Sequence, residues 1–333
     1  VDKWIKLANS LRLRAAMRLS FIDPDKAKAE GEAALKESLI ASNSDNAGVT
    51  PPQPNRWANP LLRSLVVDES RASKTMVDML TSYGTVTDPR LTLILSQSGA
   101  WVKGEADAVQ YRGVPNGLPV TDLSLPEYDN SHNSCIWGYM WGYDWNSATK
   151  GSNVAKPNTD ANFTPLGLMN YSEVCFLKAE AALRGWQGAG DAQANYEKGI
   201  RASFEEMRAL APEGSYSTTD DNTYITTGQV AWNNADDFEI KLEKIITQKW
   251  IGIYPNSEEA WAEFRRTGYP KLNPVKQSLE PTINPANNEF IKKLRYVDNE
   301  LSNNKEYATD PTLNGGKGDG LSVRVWWDTA RYK

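Results

Sequence analysis

The sequence predicts a mostly α-helical protein in which helix hairpins support an irregular, loop-rich face with short strands. Paired amphipathic segments predict three hairpins, at about residues 3–39, 171–207 and 238–268. The long stretch between the first and second pairs, about 42–165, is rich in Asn, Pro and Gly. Because a structureless insertion of that size is unusual in a compact domain, we expect short strands and ordered loops packed over the helices.

The first hairpin is predicted from apolar spacing and a capping signal. In the helix predicted from Trp4 to Ser20, apolar residues recur every three or four positions, namely Trp4, Leu7, Ala8, Leu11, Ala15 and Leu19. Asp23 and Pro24 supply a cap and a first helical residue for a second helix, from about Lys26 to Leu39. The short connection predicts antiparallel packing.

The second hairpin has the pattern of a tetratricopeptide repeat. Predicted helices at Tyr171–Trp186 and Ala192–Met207 flank a glycine-rich turn at 188–191. Aromatic, small and large apolar residues follow one another in the order typical of that repeat, namely Phe176, Ala179, Leu183, then Ala192, Tyr196 and Gly199.

The third hairpin is predicted from an apolar stripe, a break and a stop. The stripe consists of Leu242, Ile245, Ile246, Trp250 and Ile253. Pro255 and Asn256 break the first helix, Ser257 is predicted to cap the second, and Gly268 and Pro270 end it. Within the second helix, Trp261 and Phe264 are predicted to pack the hairpin, and Arg265 and Arg266 to hold its end to neighbouring elements.

Shorter elements are predicted elsewhere in the chain. A helix is expected from Ser70 to Thr81. In the tail, 273–333, the glycine-rich stretch 313–320 is predicted to be a flexible loop. Alternating apolar and polar residues at Val323–Asp328 predict a docked, extended segment.

Composition excludes some classes of protein. The chain has 333 residues, a mean hydropathy of −0.56 and no window of about eighteen uninterrupted apolar residues, so no transmembrane helix is predicted. The net charge of −5, without a basic run, gives no electrostatic reason to bind nucleic acid.

No motif in the sequence predicts catalysis, a metal or a cofactor. The single histidine, His132, is predicted to be exposed, and zinc spacing, a Walker loop and a dinucleotide-binding loop are missing from the sequence. Cys175 lies in an apolar helical run and is predicted to fill core space, while a bridge from Cys135 to Cys175 stays open. A glycosidase also stays open, because its two carboxylates pair in space and not in sequence.

The strongest ligand-binding signal is a run of alternating aromatic residues. The chain has 12 Trp and 14 Tyr but 7 Phe, and five of the polar aromatics occupy alternate positions, namely Trp137, Tyr139, Trp141, Tyr143 and Trp145. In an extended chain they would project to one side about 7 Å apart, which suits stacking on successive sugar rings.

Polar neighbours and further aromatics complete this candidate site. Asp144, Asn146 and Asn133 are placed to bond sugar hydroxyls, and Trp101 is an additional candidate, with Tyr111 and Tyr128 secondary to it. The alternative is equally concrete: the aromatic face of the extended segment packs onto the helical core.

Several blocks of the sequence, taken in order, carry a family resemblance. They are Lys3–Ser20 with its Ala-Asn-Ser-Leu-Arg-Leu-Arg core, Asp88–Leu91, Tyr111–Gly117, Tyr171–Gly185, Glu243–Lys271 with Gln-Lys-Trp-Ile, Glu-Ala-Trp and Arg-Arg-Thr-Gly-Tyr-Pro, and Val325–Asp328. Together they resemble the SusD/RagB-like glycan-binding lipoproteins of Bacteroidetes.

The resemblance implies a fold, a place and a function. It implies one SusD-like domain over 1–333, built from tetratricopeptide-like hairpins and a ligand-binding face. It also implies that the family's N-terminal segment, with its lipid-anchor cysteine, is lacking from this sequence. It implies a lipid-anchored position at the outer-membrane surface. It also implies glycan binding without catalysis, and delivery of the glycan to a TonB-dependent SusC-like transporter during nutrient uptake. The alternative function is a protein-interaction scaffold of a nutrient-uptake complex with peptide cargo, since helical repeats commonly bind proteins.

Overall fold

The computed structural model of the protein describes six parts of the chain: 1–50, 59–61, 71–136, 138–141, 164–316 and 318–332. Most of the regular structure there is helical. Strands β1 (Ala47–Val49) and β2 (Leu166–Met169) form a two-stranded antiparallel sheet, with Gly48 opposite Gly167. The predicted fold class, helix hairpins beside an irregular face with short strands, is confirmed.

The helices follow one another along the described parts of the chain. They are α1 (Asp2–Arg18), α2 (Pro24–Leu35), α3 (Lys74–Ser82), α4 (Leu91–Ile94), α5 (Gly99–Lys103), α6 (Tyr171–Leu183), α7 (Ala192–Arg208), α8 (Asp221–Thr226), α9 (Phe238–Gly252), α10 (Ser257–Thr267), α11 (Asp298–Asn303), α12 (Lys305–Ala308) and α13 (Leu313–Gly316). Short 3-10 turns lie at Asn43–Asp45, Asp122–Ser124, Tyr139–Trp141 and Pro285–Asn287.

Helices α1 and α2 form the first predicted hairpin. The Asp23 carboxylate accepts a hydrogen bond from the Lys26 amide at 3.1 Å, and Pro24 takes the first helical position. Helix α2 therefore begins two residues earlier than predicted, and it ends at Leu35, four residues short of the predicted Leu39.

The apolar residues of α1 lie on two faces of the helix. Leu7, Leu13 and Met17 are buried in the core, whereas Trp4 is 74% exposed and Leu11 is 40% exposed. Both sets recur at helical spacing, but only one side of α1 packs against α2 and α6. Spacing alone does not distinguish the two faces.

Helices α6 and α7 pack closely in the second hairpin. A side chain on Gly199 would place its Cβ 2.8 Å from the Phe176 ring, so the glycine is needed for the approach. Asn170 and Asp191 cap the two helices by accepting from the amides of Glu173 and Ala194. The pairing of aromatic and small residues that the repeat pattern predicts is present.

The third hairpin, α9 and α10, buries most of its predicted stripe, with Leu242, Ile245 and Ile246 inside the core. The cap of α10 differs from the prediction. Asn256, not Ser257, accepts the hydrogen bond from the Glu259 amide, at 3.2 Å. Asn256 occupies the N-cap position, because Ser257 is already the first residue of α10.

A buried lysine joins the third hairpin to the second. The Lys249 ammonium lies 3.0 Å from a Glu259 oxygen, 3.3 Å from Glu173 and 3.6 Å from Glu263. Burial alone would lower the pKa of Lys249, but Glu263, Glu259 and Glu173 raise it above its ordinary value. The lysine is thus held charged between α6, α9 and α10.

Arginines extend this buried network to α1. Arg18 donates to Glu259 at 2.8 Å and to Glu263 at 2.6 Å, and Arg14 donates to Glu173 at 2.8 Å. On the other side of Glu263, Arg266 pairs with both Glu263 and Glu180. The prediction that Arg266 holds the end of its helix to neighbouring elements is confirmed.

A second buried polar cluster fixes the irregular region to the helices. Arg90 donates to Asp88 at 2.6 and 2.9 Å, to Ser203 of α7 at 3.0 Å and to Gln248 of α9 at 2.6 Å. Gln248 in turn donates to the Tyr224 hydroxyl at 2.9 Å. All these groups are buried, so the turn at 88–91 is anchored to the scaffold.

In its described part, the irregular region contains short helices and isolated strand bridges. Helix α3 begins at Lys74 and not at the predicted Ser70. The residues just before it form backbone bridges with other segments of the same chain. Arg71 bridges to Cys135 and Ser73 to Val114. Isolated bridges of this kind, together with β1 and β2, are the short strands that the sequence predicts.

Cys135 and Cys175 are both buried and no disulfide joins them, so the bridge that the sequence left open does not form. Cys175 lies on α6 as predicted, and burial raises the pKa of its thiol to about 11. At neutral pH this thiol is therefore protonated and serves as a small apolar group.

The tail docks by a turn where an extended segment was predicted. The Asp328 amide donates to the Val325 carbonyl at 3.0 Å, and the Trp327 ring lies 4.8 Å from the Arg265 guanidinium. The stretch 313–320, predicted to be a flexible loop, opens with α13, and Asp319 accepts from the Tyr296 amide at 2.8 Å. Among the described residues, no helix has the length and apolar character needed to span a bilayer.

Candidate functional site

Part of the predicted aromatic site lies within the described residues. Tyr139, Trp141 and Trp101 are described, whereas Trp137, Tyr143, Asp144, Trp145 and Asn146 lie outside the described residues. Contact of the latter five with a ligand stays a prediction. The described three occupy two different environments.

Residues 139–141 form a 3-10 turn, so the extended strand that would align the rings on one side is not found there. Trp141 is fully buried, with its ring edge-on to Tyr254 at 6.4 Å between centroids. The physical reason is close packing at Gly138: a Cβ there would lie 2.2 Å from the backbone of Leu93. The turn is thus pressed onto α4, and Trp141 contributes to the core.

Tyr139 packs against the same core beside Tyr111. Burial raises the pKa of Tyr111 to about 12, a hydrogen bond with Gln97 opposes the rise, and Tyr139 adds to it. Both rings are half-buried. A phenol of raised pKa keeps its proton at neutral pH and is available as a hydrogen-bond donor.

Trp101 is held on the surface by a short, well-anchored helix. The Ser98 hydroxyl accepts from the Trp101 amide at 3.2 Å, the Ala100 amide donates to the Ser131 carbonyl at 2.7 Å, and Gly104 ends α5 with a φ of 78°. The indole is 45% exposed. A large ring on a fixed backbone is available for stacking on a ligand.

Acidic groups and the histidine lie beside this helix. His132 is half-buried, not exposed as predicted, with Nδ1 2.8 Å from Asp129 and Nε2 3.3 Å from Glu105. Burial raises the pKa of Asp129, but the hydrogen bonds with His132 outweigh it and lower the pKa below its ordinary value. The Asp129 and Glu105 carboxylates are suitable acceptors for hydroxyl donors.

Asn133 does not have the role that its sequence position suggests. Its amide nitrogen donates to the Glu127 carbonyl at 3.0 Å and to the Asp129 carbonyl at 2.8 Å, and the residue is buried. It therefore shapes the loop that carries Asp129 and is not presented to a sugar.

A cavity of about 590 Å³ lies next to the 139–141 turn. Met140 of the turn lines it, together with residues of β1 and β2, the end of α7 and the turn that joins α9 to α10. Its volume is in the range of small-molecule sites. The sequence gives no signal for it, because its walls come from segments far apart in the chain.

Within the described residues, no group of three or more His, Cys, Asp or Glu side chains is arranged to hold a metal ion. The site chemistry available there is stacking on Trp101, hydrogen bonding to carboxylates and enclosure in the cavity.

Comparison with known proteins identifies the relatives of the chain. A sequence profile for SusD-like proteins, described as "Susd and RagB outer membrane lipoprotein", matches residues 1–328. Similar solved structures include a SusD homologue from Bacteroides vulgatus ATCC 8482 (31% identity, TM-score 0.74) and one from Parabacteroides distasonis ATCC 8503 (26% identity, TM-score 0.76). A chitin-binding SusD homologue from Flavobacterium johnsoniae is 29% identical, with a TM-score of 0.73.

The match covers nearly all of this chain and part of each relative. The B. vulgatus structure is matched by 100% of this chain over 64% of its own length, the P. distasonis structure by 98% over 66%, and the F. johnsoniae structure by 98% over 64%. This chain thus spans about two thirds of the length of these structures. No functionally curated protein matches it significantly.

Proposed function

Because this chain belongs to the SusD-like family of outer membrane lipoproteins, we propose that it binds glycans at the cell surface and delivers them to a TonB-dependent SusC-like transporter. The observation that carries the proposal is the likeness, over 98% of the chain, to a SusD homologue that binds chitin. The proposed class of ligand is an oligosaccharide or polysaccharide.

We place the proposed glycan contact at Trp101 and along the aromatic run 137–145. Trp101 supports this choice because its indole is 45% exposed and its backbone is fixed by the Ser98 cap. The apolar faces of sugar rings stack on such rings, and the Asp129 and Glu105 carboxylates nearby accept hydrogen bonds from hydroxyls. In the run, Trp137 and Trp145 are the proposed stacking residues, with Asp144 and Asn146 as polar contacts.

The transporter and the membrane enter the proposal through the family. Helix hairpins α1–α2, α6–α7 and α9–α10 are proposed to be the scaffold on the transporter side, and attachment to the membrane through a lipid is proposed from the family's description. We propose no catalytic role for any residue: the protein captures its ligand and leaves it chemically unchanged.

Binding to a panel of glycans tests the proposal. The panel includes chitin oligosaccharides, and binding is measured by isothermal titration calorimetry and by affinity electrophoresis for polysaccharides. We expect at least one glycan to bind, and Trp101→Ala, Trp137→Ala and Trp145→Ala to weaken that binding. The matched control is Trp326→Ala, which removes an indole that is 73% exposed in the tail.

Two other outcomes would redirect the proposal. If every panel member binds all three variants as well as the parent, the site is elsewhere. If no glycan binds while short peptides do, the alternative function, a scaffold of an uptake complex with peptide cargo, replaces glycan capture. Release of reducing ends from a panel polysaccharide would instead indicate a glycosidase.

A further inference from the structure

The cavity of about 590 Å³ is separate from the surface that carries Trp101, which is not among its lining residues. Much of its wall is apolar, formed by side chains that include Leu61, Met207, Leu210 and Ile253. Such a wall favours a ligand with a compact apolar body.

One carboxylate in this wall has no cationic partner among the residues that the structure describes. Glu206, at the end of α7, accepts a hydrogen bond from the Asn170 amide nitrogen at 2.8 Å, and the Asn46 side chain is its other partner. Both partners are neutral amides. Within the described part of the chain, Glu206 makes no ion pair, and no Lys or Arg side chain lines the cavity.

The other acidic groups of the cavity wall differ from Glu206. Glu173 is neutralised by Arg14 and Lys249 in the buried network. Glu258 lies in the first turn of α10, where a carboxylate offsets the partial positive charge of the helix N-terminus. The unbalanced negative charge is therefore that of Glu206.

Two further observations indicate which kind of ligand would suit this cavity. Burial raises the pKa of Glu206 to about 7, while Asn170 and Asn46 oppose the rise, so the carboxyl is close to half protonated in neutral solution. Asn43 also lines the cavity, and its buried Oδ1 has no hydrogen-bond partner in the described part of the chain. Within the described residues, Glu206 has no cationic partner and Asn43 Oδ1 has no hydrogen-bond donor. A single group that is both cationic and a hydrogen-bond donor would satisfy both.

We propose that this cavity binds a small organic cation, whose protonated amine pairs with Glu206 and donates to Asn43 Oδ1 while its apolar body contacts Leu210 and Ile253. The amine supplies charge and hydrogen-bond donors together, which a hydroxyl or a carboxylate does not. This site is independent of the glycan function proposed above, and its ligand need not be part of the glycan.

Three probes that share a benzene ring and differ in the charge of the polar group test the proposal on the full chain: benzylammonium, benzyl alcohol and benzoate. Isothermal titration calorimetry at pH 7.5 is expected to give binding of benzylammonium, at least tenfold weaker binding of benzyl alcohol and no binding of benzoate. Glu206→Gln is expected to weaken benzylammonium binding at least tenfold and to leave benzyl alcohol unchanged. An exposed acid that does not line the cavity provides the matched control, Glu213→Gln, which is expected to bind benzylammonium like the parent.

A second variant keeps the test decisive if Glu206→Gln does not fold. Asn43→Ala removes the orphan acceptor and is expected to weaken benzylammonium binding several-fold, with an unchanged circular dichroism spectrum. The proposal would be overturned by any of three results. Benzyl alcohol binds as tightly as benzylammonium, or none of the probes binds. In the third, Asn43→Ala and Glu206→Gln both bind benzylammonium as tightly as the parent. Glycan binding by the same variants, measured in parallel, keeps this result distinct from that of the glycan experiment.

Discussion

Arg266 of α10 and Glu180 of α6 form a fully buried bidentate ion pair, with Nη1–Oε1 at 2.7 Å and Nη2–Oε2 at 2.6 Å. The two residues are 86 positions apart in the chain. Burial lowers the pKa of Arg266, but Glu180 and Glu263 more than offset it and keep the guanidinium charged. This contact fixes the third hairpin against the second.

Removal of this guanidinium is expected to be severely destabilising. Arg266→Ala would leave Glu180 and Glu263 in the interior without their common partner, at a cost of about 3–5 kcal/mol in the free energy of unfolding. Urea unfolding followed by tryptophan fluorescence measures the change. The control is Arg12→Ala, which breaks an exposed pair with Glu30 and should cost less than about 1 kcal/mol. Equal losses in the two variants would contradict the role given to the buried pair.

The Glu206 carboxyl is expected to make stability depend on pH. Its pKa rises from the ordinary 4.5 to about 7 on folding, so between these values the folded protein holds a proton that the unfolded chain releases. The stability contributed by this group is therefore complete below pH 4.5 and is lost as the pH rises through 7. Glu206→Gln removes the effect, and the variant should gain roughly 1–2 kcal/mol relative to the parent between pH 5 and pH 8.

Urea unfolding of Glu206→Gln, Glu205→Gln and the parent at pH 5, 6, 7 and 8 measures this difference. The exposed Glu205 provides the control, and its variant should follow the parent at each pH. If the Glu206→Gln and parent curves run parallel over the whole range, the carboxyl does not change its proton affinity on folding.

Gly138 is expected to tolerate no side chain. The Cβ of Gly138→Ala would lie 2.2 Å from the backbone of Leu93, which cannot move as a flexible side chain does. We expect a cost of about 1–3 kcal/mol and a displaced 139–141 turn, visible in the near-ultraviolet circular dichroism of Trp141. Gly167→Ala is the control, because a Cβ at that position meets no atom within 4 Å. A native-like melting temperature for Gly138→Ala would show that the turn is not pressed onto α4.

The two described tryptophans of the aromatic site are expected to behave differently. Trp141→Ala removes a fully buried ring and should lower the free energy of unfolding by about 3–5 kcal/mol. Trp101→Ala should change stability by about 0.5 kcal/mol or less and lower glycan affinity about tenfold. Chemical unfolding and calorimetric titration separate the two effects. If Trp141→Ala folds and loses glycan affinity while Trp101→Ala binds the glycan like the parent, then Trp141 and not Trp101 contacts the glycan.

Much of the fold was predictable because it depends on local sequence. The helix hairpins follow from apolar spacing, from the cap at Asp23 and from the stop at Gly268, all of which act within a few residues of the element that they define. Errors of a few residues remained where neighbouring side chains compete for one cap, as Asn256 and Ser257 do.

The motifs that identified the family proved to be points of contact. The two buried polar clusters are formed largely by residues of these sequence blocks. They are Arg14, Arg18, Arg90, Glu173, Glu180, Gln248, Lys249 and Arg266. The sequence shows that these residues are charged or polar, but it does not say which cation meets which carboxylate.

The sequence by itself determined the helical hairpins, the family and the residue types available for binding. Only the tertiary structure decided that Trp141 is buried while Trp101 is exposed and that His132 lies between two acids. It also decided that Glu206 lines a cavity whose described residues include no Lys or Arg. The physical reason is that backbone propensities and caps act over a few residues. Burial, ion pairing and pKa depend on groups brought together from distant parts of the chain.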